Sequence, residues 1–291
     1  MYQETVVNSR PDREIRKKVV TPGDFNVVPY EESRCKVVFS EVICKNGSGP
    51  CELDPESRFF NKSFDGNVLI GSADYFLDRD LELILQQMCC GETCFASLVY
   101  RDEDGALAQE ISCKLQLLDV TEEQLISDWG WVRLYEAATY HKGEGVELVK
   151  KKKICEAFRR FSKSLKMLIA IEPIDPEVIS EEVVKEMVDL KVKLYNNLAH
   201  CQLYYDEYEA ALQLCNKALS FQTDNPKALY RRCVAYTNLK MYEEAWKDIQ
   251  QVLKLDPNDK AAQQRAHTLK TKVEKINVNY KSVIKNMFKN Y

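Results

Sequence analysis

The sequence predicts an α+β chain in two parts: an antiparallel sheet with one packed helix, then an all-α solenoid of three helix hairpins closed by a C-terminal capping helix. Three observations predict it. The segments Tyr208-Glu209-Ala210-Ala211-Leu212 and Tyr242-Glu243-Glu244-Ala245-Trp246 stand 34 positions apart, an interval that marks a repeated pair of helices. Before residue 125, short β-branched and aromatic runs alternate with clusters of Gly, Pro, Asn and Asp, as strands and turns do. After it, Gly and Pro thin out and apolar residues recur at helical spacing. The units are therefore placed at 1–124 and 125–291.

In the first unit, strands are expected at Lys36–Ile43, Asn67–Ile70, Thr93–Tyr100 and Glu110–Val120. Ile111-Ser112-Cys113-Lys114-Leu115-Gln116-Leu117 alternates apolar and polar residues, which fits a strand with one face on a core and one in water. Asn46-Gly47-Ser48-Gly49-Pro50 reads as a loop. The single helix runs from Leu77 to Met88, where leucines at 77, 81 and 85 with Ile84 and Met88 form a stripe wide enough to pack on a sheet.

In the second unit, Leu229, Cys233 and Tyr236, then Ala245, Ile249 and Val252, occupy the large, small and aromatic positions of a tetratricopeptide hairpin. Tyr195, Ala199, Ala211, Cys215 and Ala218 form an earlier copy, and Pro226 opens the following helix, a position where proline is tolerated. Tyr140 and Ile154-Cys155-Glu156-Ala157-Phe158 form the first copy, lengthened by an insertion read at Ile171–Glu182, with Ser180 or a neighbour as the next helix cap. From Asp259 the chain is charged and periodic in Ala262, Leu269, Val273, Ile276, Tyr280, Ile284 and Phe288, as expected of a helix that closes a solenoid.

Composition narrows the function. A net charge of −4 carries no basic surplus, which argues against nucleic acid as the main partner. The first 30 residues lack the apolar core of a signal peptide. A cytoplasmic or nuclear protein is expected, with its 11 cysteines held mostly as buried thiols. Cys89, Cys90 and Cys94 cluster, but no second ligand pair accompanies them, so neither metal nor other cofactor is expected. There is no GxSxG, GxxxxGK or HExxH.

The repeat locates one candidate site. Asn197 and Arg231 differ by one repeat, as do Lys193 and Lys227, so all four are expected on inner helices facing one groove. Stacked cations with an amide donor suit a peptide's terminal carboxylate, each charge-assisted hydrogen bond being worth about 1.5–3 kcal/mol.

Asn197-Leu198-Ala199, Asn225-Pro226-Lys227-Ala228-Leu229-Tyr230-Arg231-Arg232 and Asn286-Met287-Phe288-Lys289 resemble the tetratricopeptide half of the large FK506-binding immunophilins. That resemblance implies a carboxylate clamp for the acidic C-terminus of Hsp90, carried here by Asn197, Lys227 and Arg231. In the first repeat it sets Leu134 and Ala138 where the family has a lysine and, four residues on, an asparagine.

Val37-Val38-Phe39, Ile70-Gly71, Met88-Cys89-Cys90-Gly91-Glu92 and Leu115-Gln116-Leu117-Leu118-Asp119 resemble the FK506-binding domain. The same resemblance implies a degenerate prolyl-isomerase pocket around Phe39. Leu81 replaces the floor tryptophan, Leu77 and Asp78 stand for an apolar pair, Cys113 replaces an aromatic, and the flap shrinks to Arg101–Gly105. The family's Phe-Asp pair falls on Phe60-Asn61 or Phe64-Asp65. Isomerisation must cross a barrier of about 18–20 kcal/mol using an apolar cup and no acid or base. The expectation is thus a non-catalytic adaptor. Resemblance to degenerate insect members of the family further implies a casein-kinase-type clock kinase as partner. The alternative is an active isomerase co-chaperone of Hsp90.

Overall fold

The computed structural model describes residues 4–61, 63–121 and 124–287, with side chains described through residue 274. The chain divides into two compact units, 1–129 and 130–291, a few residues beyond the change in composition near 125.

The first unit contains β1 (Glu4–Arg10), β2 (Arg13–Thr21), β3 (Arg34–Asn46), β4 (Gly49–Pro50), β5 (Asn67–Leu69), α1 (Phe76–Leu85), β6 (Thr93–Arg101) and β7 (Leu107–Thr121). The strands form an antiparallel sheet in the order β1-β2-β6-β7-β3-β4, with β5 also paired to β3. On β7, Ile111, Cys113, Leu115 and Leu117 are all buried, as the alternation predicts. They meet Leu77, Leu81, Ile84 and Leu85 of α1 in one apolar core.

Two readings change. The 46–50 stretch is the tight turn of a hairpin, with Asn46 opposite Gly49 and Lys45 opposite Pro50; Gly49 adopts φ +127°, open to glycine and disfavoured for other residues. The predicted helix stops at Leu85, and only residues 86–87 continue it, as a turn.

β1 and β2 have no counterpart in the sequence reading, and the reason lies in what β2 buries. Its inward positions are Arg13, Ile15 and Lys17, so two of three are cations that mask the alternation. Each is paired. Arg13 meets Asp80 of α1 at 2.9 Å, and Asp80 also accepts from the Tyr100 hydroxyl. Lys17 meets Glu92 at 2.9 Å and the carbonyl of Gln87. Helix α1 is thus acidic on a buried side: Asp78 accepts from the Ser57 hydroxyl and the Arg58 amide, and Glu82 from the amides of Gly71 and Ala73. Each carboxylate ties a different flank of chain to one helix.

The second unit consists of α2 (Trp131–Lys150), α3 (Ile154–Ala170), α4 (Glu181–Tyr204), α5 (Tyr208–Phe221), α6 (Pro226–Asn238), α7 (Tyr242–Leu255) and α8 (Lys260–Met287). The repeat positions Ala199, Cys233, Ala211, Ala245, Cys215 and Ile249 are fully buried. Pro226 is the first residue of α6, and the Asn225 side chain caps the helix by accepting from the Ala228 amide at 3.0 Å. Ser180 does stand at the cap of α4, but its side chain makes no capping bond. The insertion read at Ile171–Glu182 is turns and loop through residue 180 and leads into α4, which at 24 residues is itself longer than α6 at 13. Ala262 and Leu269 of α8 pack onto the third hairpin. Phe288 and the side chains of Ile276, Tyr280 and Ile284 lie outside the described residues.

Gly145 fixes the packing of the first hairpin. A Cβ there would stand 2.5 Å from Cε1 of Phe161, itself fully buried on α3. Gly145→Ala is expected to destabilise this hairpin by about 1–3 kcal/mol through overpacking, despite the better helix propensity of alanine. Chemical denaturation measures it, and Phe161→Leu should recover part of the loss because the two changes share one space.

Candidate functional site

In the second unit, α4 packs against α2 on one side and α6 on the other, so the inner helices of three repeats line one surface. Lys193 and Asn197 come from α4 and Lys227 and Arg231 from α6, as the 34-residue spacing places them. Lys193 and Lys227 are exposed, whereas Asn197 and Arg231 are half-buried.

The first repeat differs from the sequence reading. Leu134 and Ala138 are buried in the core, and cannot face a groove. Gly145 precedes Ala157 by twelve residues, just as Ala199 precedes Ala211 and Cys233 precedes Ala245. Gly145 is therefore the small residue of this repeat, and the groove-facing part of α2 is its second half. On that register the counterparts of Lys193 and Asn197 are Thr139 and Gly143, which supply neither a cation nor an amide. The signal was present in the sequence as that twelve-residue spacing. It was obscured because the long α2 offers several small residues and the one that matters is a glycine without a side chain to pattern.

Arg231 is electrostatically the most unusual residue of the groove. Its Nη1 is buried and, among the described residues, has no hydrogen-bond partner. Burial lowers the guanidinium pKa, so its charge is held at a cost. The groups that could neutralise it are Cys215 and Cys201, but burial pushes these thiols up to about 12 and about 11. They stay neutral. His200, one turn beyond Asn197 on α4, also feels Arg231; burial first and then this cation lower its pKa. An uncompensated, partly desolvated guanidinium beside an imidazole and an amide is a receptor for an anion. Neighbouring Arg232 points elsewhere, with Nε and Nη2 on the Asp248 carboxylate at 2.8 and 2.7 Å and Nη1 on Asn216 at 2.9 Å. This pins α6 to α5 and α7 and fixes the direction of Arg231.

In the first unit, the positions that the resemblance assigns to the pocket are buried, apart from Phe39. Leu81 has 0% exposure, Leu77 and Cys113 each 1%, and Asp78 3%. Burial raises the Asp78 pKa, while its bonds from Ser57 and Arg58 pull it back. Burial alone pushes the Cys113 thiol up to about 12. Phe39 is half-buried and packs on Phe59, Phe60 and Phe64, with ring centroids 5.5, 5.5 and 5.8 Å away. Both candidate Phe-Asp segments thus contribute a ring to this cluster. The 101–105 flap is a turn in which Asp102 accepts from the amides of Asp104 and Ala106.

A tetratricopeptide-repeat family model matches residues 226–259, the third hairpin. Peptidyl-prolyl cis-trans isomerase FKBP4 of Homo sapiens is 30% identical over 250 residues, covering 81% of this chain and therefore both units, and 53% of that relative. The chain belongs to the FK506-binding immunophilins with tetratricopeptide repeats. FK506-binding protein 59 of Drosophila melanogaster is 29% identical over 220 residues, 72% of this chain and 47% of that protein. This immunophilin spans about half the length of the curated relatives it matches. The crystal structure of residues 1–211 of CG17282 shares its fold, with a TM-score of 0.53 and 24% identity over 71% of this chain and 96% of that one.

Proposed function

We propose that this immunophilin is a non-catalytic adaptor that holds the acidic C-terminal tail of a partner protein in the groove of α2, α4 and α6. The observation that carries the reading is the buried, unpartnered Nη1 of Arg231 above two neutral thiols. A carboxylate supplies the missing acceptor and the missing charge. Asn197 donates a second hydrogen bond, and Lys193 and Lys227 flank the tail with screened positive charge. A chaperone tail of the Hsp90 type fits this chemistry, as does an acidic tail of a casein-kinase-type clock kinase; the groove chemistry favours the first, since Lys227 and Arg231 match the family clamp.

The first unit acts as a docking body. With Leu81, Leu77 and Cys113 buried in the core and Asp78 engaged by the 57–58 turn, these positions present no apolar cup for a twisted amide. The expected result of a proline-peptide turnover assay is a rate equal to buffer, unchanged by FK506. FK506-sensitive turnover would establish the alternative, an active isomerase co-chaperone of Hsp90, which the named activity of FKBP4 favours.

Binding should also be linked to protons. The His200 pKa lies below its ordinary value in the free groove, and an anion docked at Arg231 raises it. Between the bound and the free values binding takes up a proton, so affinity for an acidic tail rises as pH falls toward the free value, which lies below the ordinary histidine range. Calorimetry of peptide binding in two buffers of different ionisation enthalpy measures this uptake, and His200→Gln should flatten the profile.

A further inference from the structure

We propose that Cys44 and Cys51 are a modification site: a dithiol that a low-molecular-weight disulfide such as glutathione disulfide converts into a cross-strand bond at the base of the β3–β4 hairpin. Their Sγ atoms are 2.8 Å apart, inside ordinary sulfur contact. The register explains the closeness. Asn46 pairs with Gly49 and Lys45 with Pro50, so Cys44 and Cys51 form the next rung, joined by the Cys51 amide donating to the Cys44 carbonyl at 3.0 Å. A hydrogen-bonded antiparallel pair sets the Cα atoms about 5.5 Å apart, within the roughly 4.4–6.8 Å that a disulfide spans. No backbone movement is required. The Gln109 side chain donates to the Cys44 sulfur at 3.3 Å and holds it in place.

Exposure assigns the order of events. Cys51 is half-buried and Cys44 is 7% exposed, so the Cys51 thiolate attacks first. It breaks the S–S bond of glutathione disulfide and releases one glutathione thiolate, which is protonated. Cys44, losing its own proton, then attacks the Cys51 sulfur and expels the second glutathione. Two protein thiols are oxidised and one small disulfide is reduced to two thiols. The adjoining sulfur of Cys44 raises the Cys51 pKa, so the reaction should quicken as pH rises.

The bond has a structural consequence beyond the hairpin. Cys51 starts the segment that carries Phe59, Phe60 and Phe64 onto Phe39 of β3. Oxidation fastens the start of that segment to the same strand that its rings cover, and holds it at two points.

The test uses the whole chain incubated with glutathione disulfide, followed by alkylation of free thiols, digestion and mass spectrometry. The expected product is a dithiothreitol-reversible peptide linking Cys44 to Cys51. Cys44→Ser should instead leave glutathione on Cys51, and Cys51→Ser should leave Cys44 open to alkylation once the protein is unfolded. Limited proteolysis within residues 52–66 should slow severalfold on oxidation of the wild-type chain. Exposed Cys155 is the internal control: glutathione on Cys155 with Cys44 and Cys51 both still alkylated would overturn the proposal, as would equal cleavage of the segment in the two redox states.

Discussion

Arg231→Met is expected to leave the helical unit folded and to weaken binding of a peptide copying the acidic Hsp90 C-terminus by about a hundredfold to a thousandfold. Among the described residues the buried Nη1 has no acceptor, and neighbouring thiols provide no counter-charge. Removing the guanidinium therefore relieves a desolvation cost in the free protein, while an unbranched methionine fills most of its volume. Bound to a tail, the same group forms charge-assisted hydrogen bonds worth about 1.5–3 kcal/mol each. Losing two gives about 3–6 kcal/mol, which more than covers the stated range. Fluorescence anisotropy with a labelled peptide reads the affinity, and thermal unfolding reads the fold. A variant that binds normally would remove the clamp from this protein. Lys227→Ala, at an exposed position, should cost far less and mainly alter salt dependence.

Asp80→Asn should destabilise the first unit by about 3–5 kcal/mol, the effect of stranding one member of a buried ion pair. The Arg13 and Asp80 side chains are 10% and 1% exposed, so Arg13 would lose its counter-charge with little water to replace it. Burial already raises the Asp80 pKa, with Arg13 and Tyr100 restoring part of the preference for the charged form. Replacing both ends, as Arg13→Met with Asp80→Leu, should regain much of the loss, because an apolar pair of similar size demands no desolvation of charge. Urea titration of single and double variants supplies the cycle. A single substitution costing under about 1 kcal/mol would show that water reaches the pair.

Legibility in the sequence followed the chemistry of the buried face. β7 could be read because its inward residues are Ile111, Cys113, Leu115 and Leu117. β2 could not, because a lysine and an arginine point inward and resemble a solvated strand until Asp80 and Glu92, dozens of residues away, are brought to them. The third hairpin was plain from Cys233, Ala245 and Ile249. The first was misread at Leu134 and Ala138, since α2 continues past them to Gly145, whose role depends on the ring of Phe161. The places of Lys193 and Asn197 on α4 and of Lys227 and Arg231 on α6 followed from periodicity alone. His200 did not, because its place beside Arg231 needs the packing of α4 on α6.

The leading strand pair has a practical implication for anyone handling this protein. Residues 13–21 supply the counter-ions of Asp80 on α1 and of Glu92 just before β6, and pair along β6. Trimming them to tidy an expression vector would orphan two carboxylates and unzip a neighbouring ladder, and the resulting insolubility could be mistaken for an inherent defect of the rest.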